Sequence, residues 1–352
     1  MKRSVTLGAA VGALCLLAAL PAGAASTPSS ARTAVRLDGA VTTPAGYTLA
    51  QLAHLPAATT FTYSEVTPRG IVTHTDTGVP LETAAPNATT TAGILGSTIA
   101  LPAACGSTPT PPCLVNTKNS LLRVTVTVRG TGNSVTFAAG ELDPGFGNHP
   151  AYIALTRDGR PVSGGPELVV PNDSSRDRFV SDVREVSVGV VSDYDTDASG
   201  AICKPSPAAP CALPGSLRIV QGRHVTTLTM AQLAALPQET LSVSYTAAGK
   251  YAANQETGPS LDAVLRAAGI REDRVSWVTG LGTDNYATTV TPGEQWFGGR
   301  PLMISLAEYP VTPGSSSLGP ATNATPRLVP AGDHLAGGRY GSDVLELIVG
   351  TD

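Results

Sequence analysis

Tyr47-Thr-Leu-Ala-Gln-Leu-Ala-His-Leu-Pro56 returns in the second half of the chain as Leu228-Thr-Met-Ala-Gln-Leu-Ala-Ala-Leu-Pro237. Each copy follows a strand-like apolar run, 35–41 and 217–220, and precedes an alternating run, 59–64 and 240–245, with the period of two that a half-buried strand shows. Next come Thr77-Gly-Val-Pro-Leu81 and Thr257-Gly-Pro-Ser-Leu261, each with glycine and proline placed to open a short helix. Farther on, Arg178-Phe-Val-Ser-Asp-Val183 is matched by Arg339-Tyr-Gly-Ser-Asp-Val344. Ordered matches at nearly constant spacing predict an internal duplication, and a unit of roughly 150 residues is a domain, not a solenoid repeat.

Length and composition agree with that reading. A chain of 352 residues suits two domains at about 150 residues each. With 42% hydrophobic and 14% charged residues it has the apolar content to bury a core, which argues against disorder. A net charge of −4 argues against nucleic-acid binding.

The amino terminus reads as an address. Lys2 and Arg3 form a positive n-region, residues 5–20 are apolar, and Ala22-Gly23-Ala24 is a small-residue cleavage site, so residues 1–24 are expected to be a secretory signal peptide. The apolar run falls short of the roughly 20 residues that span a bilayer, no twin-arginine pair is present, and Gly12 stands three positions before Cys15 where a lipobox has leucine. The expected product is secreted, makes no membrane contact after cleavage, and carries a net charge of about −6 once Lys2 and Arg3 are lost.

Four cysteines then remain, as Cys105-x7-Cys113 and Cys203-x7-Cys211, each pair enclosing a proline-rich loop. In an exported protein this parity predicts two local disulfides; zinc, the alternative, favours closer spacing and nearby histidine. Residues 192–215 read as a linker. Within it Asp193, Asp195 and Asp197 have the spacing of calcium ligands, but Lys204 stands where an EF-hand loop needs glutamate, so a solvated acidic linker is the expectation. Asn87, Asn172 and Asn323 head formal glycosylation sequons.

The order TLAQLAHLP, TGVPL, then 121–162 with its ELDPGFGN segment, then 167–188 with LVVP and the R-x-V-x-x-V strand, resembles the sulfite-oxidase-type molybdopterin-binding domain. The second half follows the same plan through 280–311 and 327–349. The resemblance implies an α+β fold in two tandem, strand-rich copies: 33–191, with the Cys105/Cys113 insertion, and 216–352, joined by the Cys203/Cys211 linker.

In active members a cysteine just after the strand that follows the TLA-x-L-x-x-LP element gives molybdenum its soft thiolate ligand. Residues 62–70 and 244–251 occupy that place and neither contains cysteine, so the chain resembles the members without the ligand, and neither a catalytic residue nor a metal ligand is assigned. The family's pterin lies near a loop whose amides and arginines can hold phosphate. The resemblance therefore points to Arg69, Arg178, Lys250, His334 and Arg339 as cofactor-side residues. The alternative is that Arg178 and Arg339 pair with Asp182 or Asp343 and order the loop. No nucleophile elbow, P-loop, Rossmann fingerprint or H-E-x-x-H motif is present, and the five histidines lack ligand spacing.

The expected function is a secreted, catalytically silent binding or scaffold module, without cofactor, for a small anionic ligand or a protein partner. Two alternatives stand beside it: an oxidoreductase that retains molybdopterin without the cysteine, and a structural envelope spacer. The missing thiolate positions favour the first over the second, as does the missing twin-arginine pair, since molybdenum-cofactor proteins usually leave the cytoplasm folded.

Overall fold

Thr48 and Thr229 each open a one-turn helix by a capping box, the threonine side chain accepting from the amide of Gln51 or Gln232 while that glutamine accepts from the threonine amide. The two matched sequence stretches thus build the same local element. In the computed structural model, residues 32–81, 93–96, 99–104, 113–191, 215–247, 249–311 and 325–351 are described, and Thr33–Asp352 forms one unit. The expected signal peptide, residues 192–214 of the linker, its three aspartates, and Cys105, Cys203 and Cys211 lie outside the described residues. Cys113 is disulfide-bonded.

The amino-terminal half contains β1 (Val35–Gly39), β2 (Ala45–Tyr47), α1 (Leu49–Ala53), β3 (Thr59–Thr67), β4 (Gly70–Pro80), β5 (Val124–Arg129), β6 (Ser134–Ala138), α2 (Ala139–Leu142), β7 (Tyr152–Arg157), β8 (Arg160–Pro161), β9 (Glu167–Val169) and β10 (Glu185–Val190). The carboxy-terminal half contains β11 (Ser216–Gln221), β12 (His224–Thr229), α3 (Met230–Ala234), β13 (Gln238–Ala247), β14 (Lys250–Pro259), α4 (Leu261–Ala267), β15 (Trp277–Gly282), β16 (Ala287–Val290), α5 (Pro292–Trp296), β17 (Leu302–Ser305), β18 (Ala307–Pro310), β19 (Arg327–Pro330) and β20 (Val344–Gly350).

One sheet runs β2-β1-β10-β5-β6 and another β12-β11-β20-β15-β16. In each, the central first-and-last pair, β1 with β10 and β11 with β20, is parallel and the other pairings are antiparallel. Beside them lie β3-β4-β7-β8 with β9 on β7, and β13-β14-β18 with the β17-β19 pair, which the Ser260–Met303 bridge links to it.

The expected α+β fold of two tandem sulfite-oxidase-type domains is not what forms. Among the described residues strand makes up 48% and helix 14%, arranged as a four-bladed β-propeller. Helix length supplies the physical reason. The five α-helices among the described residues run four to seven residues, too short to cover a sheet or to stand without tertiary support, so most apolar strand faces bury one another.

Leu37, Phe61, Val126, Phe137, Ile153, Leu168 and Val186, from seven different strands, share one core. In the second half Ile219 of β11 joins Val278, Ile304, Leu328 and Leu347, with Val264 and Leu265 of α4, in another core. Each fully buried side chain of this size contributes about 1.5–3 kcal/mol. The insertion in the first half also packs inward, since Ile94 and Leu95 belong to the first core. Among the described residues no helix is long and apolar enough to cross a membrane.

Candidate functional site

Two arginines occupy the interior where the halves meet. Arg178 is 2% exposed and Arg339 0%. Arg178 donates from Nε and Nη2 to both oxygens of Asp173, at 2.7 and 2.6 Å, and from Nη1 to Glu141 Oε1 at 2.6 Å. Arg339 donates from Nη1 to Asp333, at 3.0 and 3.2 Å, and from Nη2 to both oxygens of Glu294 at 2.7 Å. Each guanidinium is thereby held by two carboxylates of its own half.

Local sequence explains the placement. Glu141 comes from the single turn of α2, which follows β6 directly, and Glu294 from α5, which begins at Pro292 and whose Glu294 also accepts the Thr291 amide at 2.9 Å. Asp173 and Asp333 lie just beyond β9 and β19. The halves interlock: a Cβ on Gly293 would stand 2.9 Å from Arg178 Cδ, and one on Gly140 the same distance from Arg339 Cδ. Only glycine admits such a close approach.

Burial dominates the electrostatics. It pushes the Asp333 carboxyl up to about 6, with Arg339 opposing and Glu294 adding to the rise. Burial likewise raises Glu294, against Arg339 and with Glu141. Asp173 is driven up by burial as well, but its hydrogen bonds to Arg178 and His149 outweigh that and hold it below the usual carboxylate range.

Asp182 and Asp343 do not pair with the buried arginines. Asp182 accepts from Thr131 Oγ1 at 2.7 Å and from Arg184 Nη2 at 2.6 Å, and Asp343 accepts from Thr325 Oγ1. Both aspartates have left-handed backbones, φ 51° and 54°, a conformation that aspartate tolerates. Their recurrence reflects that turn. Arg69 and Lys250 are exposed at the tips of the β3–β4 and β13–β14 hairpins, and His334 is exposed in its loop. The five expected cofactor-side residues therefore do not converge. Glu141, Glu294, His149 and Arg300 escaped notice, although Gly-Glu recurs at 140–141 and 293–294 and Phe-Gly at 146–147 and 297–298.

A second pair of ion clusters lies under the long hairpins. Arg157 of β7 pairs with Glu167 of β9 at 2.6 Å and Asp76 of β4 at 3.1 Å, over the ring of Tyr63. In the other half the charges trade strands: Arg327 of β19 pairs with Glu308 of β18 and with Glu256 of β14 at 3.0 Å. Arg327 Nη2 also donates to the Tyr245 hydroxyl at 2.7 Å, and its guanidinium lies over the rings of Tyr245 and Tyr340.

Two clefts open where the halves meet. The larger, about 920 Å³, is bordered by Asp177 and Arg178 on one side and by Arg271, Arg274, Trp296 and Phe297 on the other. Trp296 keeps an exposed indole that donates from Nε1 to Asp262 at 3.2 Å. The smaller, about 470 Å³, is bordered by Lys118, Phe146, Tyr245, Tyr286 and Tyr340.

The hairpin ends 62–67 and 244–247 offer hydroxyls and no cysteine. Arg178 and Arg339, the cations that would meet a phosphate, are closed by carboxylates on both sides. No family model and no curated protein matches the chain. Among solved structures it is similar to the sulfane dehydrogenase SoxCD from Paracoccus pantotrophus, at 12% identity over 88% of this chain and 77% of that one, with a TM-score of 0.30. A likeness that slight carries no argument about fold or function.

Proposed function

We propose that this chain is a binding or scaffold module and not a molybdopterin oxidoreductase, with the larger cleft as its contact site for a small anionic ligand or a protein partner. One observation carries the reading: each buried arginine at the meeting of the halves is bound by two carboxylates of its own half, leaving a structural centre where a cofactor site would need free charge. The cleft supports the binding part, because it sets Arg271 and Arg274 beside an exposed indole. The proposal includes export, which rests on the amino-terminal sequence, and duplication of one ancestral unit, which the common strand order of the two halves supports.

Elemental analysis of protein purified from its native export route tests the central point. Folded protein without stoichiometric molybdenum is the expected result. One molybdenum per chain would overturn the proposal.

A further inference from the structure

His149 and Arg300 hold corresponding places in the buried charge centre, one an imidazole and the other a guanidinium. Each stands three residues past a phenylalanine, Phe146 or Phe297. Arg300 donates from Nη1 to Asp333 Oδ1 at 3.1 Å and from Nη2 to the Gly147 carbonyl of the other half at 2.6 Å. His149 Nε2 lies 2.9 Å from Asp173 Oδ1 and 3.4 Å from Arg178 Nη2, and its ring packs toward Gly298 of the other half. His149 is 2% exposed.

The charges form a chain across both halves, from His149 to Arg300. His149 faces Asp173 and Arg178; Arg178 faces Glu141; Glu141 accepts from Thr291 at 3.5 Å and feels the charge of Glu294; Glu294 faces Arg339; Arg339 faces Asp333; and Asp333 faces Arg300. Four carboxylates therefore meet three guanidiniums. The carboxylates outnumber the guanidiniums by one, and an uncompensated buried charge is costly.

We propose that this charge centre is a proton-operated lock between the two halves, which takes up one proton in mild acid and is tightened by it. The proton is shared within the group, since Asp333 feels the charge of Glu294. Asp333, pushed up to about 6, is one acceptor within it. The sign follows from linkage. A group whose folded pKa is raised contributes stability that is complete below its unfolded value, about 4 for aspartate, and is lost as the pH rises through about 6. One excess proton changes the folding equilibrium by up to about tenfold per pH unit in that window.

Urea unfolding of the intact protein between pH 4.5 and 8 tests the lock, comparing the native chain with His149→Arg and Arg300→Gln. His149→Arg supplies a permanent charge, so relative to the native chain the gain on acidification should disappear and the stability above pH 7 should rise. Arg300→Gln deepens the deficit and should make the dependence steeper. A His149→Arg variant that keeps the native pH dependence would overturn the proposal. Should either variant fail to fold, hydrogen exchange of the native chain decides: amides of residues 141–149 and 294–300 should open less often at pH 5.5 than at 7.5, after correction for intrinsic rates. Protection independent of pH there would refute the lock.

Discussion

Arg178 lies so close to Gly293 that a methyl group on that glycine would meet its Cδ at 2.9 Å, and Arg339 stands in the same relation to Gly140. Each arginine is bound by the acids of its own half and packed against the backbone of the other. The halves are thus joined by shape as well as by charge. Neither guanidinium can retreat without releasing carboxylates that have no water to turn to.

Gly140→Ala and Gly293→Ala should each cost about 1–3 kcal/mol, the usual range for forcing a methyl group into a closed site. Gly140→Ala is expected to cost more, because its Cβ would also meet Leu122 Cδ2 at 2.7 Å. Denaturant midpoints check both. Unchanged midpoints would show that the arginines can move.

Removing a guanidinium should cost more than crowding it. Arg178→Met leaves Glu141 and Asp173 buried without their cation, and Arg339→Met does the same to Glu294 and Asp333. A loss of about 3–5 kcal/mol is expected for each. Adding Glu141→Gln and Asp173→Asn to Arg178→Met should recover most of it, whereas Arg178→Lys should recover little, since an ammonium cannot reproduce the paired bonds to Asp173. Full stability of either single variant would contradict the buried pairing.

Asp173 and Asp333 occupy corresponding places but are shifted in opposite directions. The advantage of native protein over Asp333→Asn should therefore shrink as the pH rises through about 6. For Asp173→Asn the native advantage should be complete above the ordinary carboxylate range and be lost as the pH falls through the depressed folded value. Unfolding free energies of the two variants across the pH range separate these opposite slopes. Parallel curves would contradict the assigned environments.

Under the hairpins, a charge exchange should be tolerated better than either half of it. Arg157→Glu and Glu167→Arg each place like charges together and should cost about 3 kcal/mol or more. The double variant restores the opposite pair and lets Asp76 face the new arginine as Glu256 faces Arg327, but Arg176, which pairs with Glu167 at 2.8 Å, would then face an arginine, so it should recover part of the loss. A double-mutant cycle measures the coupling. Additive losses would mean that surrounding packing, not charge, fixes the polarity.

Local structure was legible in the residues. The strand runs at 35–41, 59–64, 217–220 and 240–245 correspond to β1, β3, β11 and β13, because alternation over a few residues is a local property of the backbone. The helix expected after Thr257-Gly-Pro-Ser-Leu261 forms as α4 under a Ser260 cap, while its counterpart after Leu81 lies outside the described residues. The recurrence of Arg178 and Arg339 with nearby aspartates was also visible. Their partners were not, since Glu141 is 37 residues from Arg178 and Glu294 is 45 from Arg339, and spacing along a strand-rich chain says nothing of such contacts.

By itself the sequence determined the strand runs at 35–41, 59–64, 217–220 and 240–245 and the short helix after Ser260, which depend on neighbours within a few residues, and the parallel order of features in the two halves. Only the tertiary structure decided how those strands sort into four blades, which aspartates hold left-handed turns and which bind arginine, and that Arg178 and Arg339 are enclosed while Arg69 and Lys250 stand at exposed tips. Period two marks a strand but not its partner, and a charge announces itself without naming its counter-ion. Those choices rest on contacts between residues far apart in the chain.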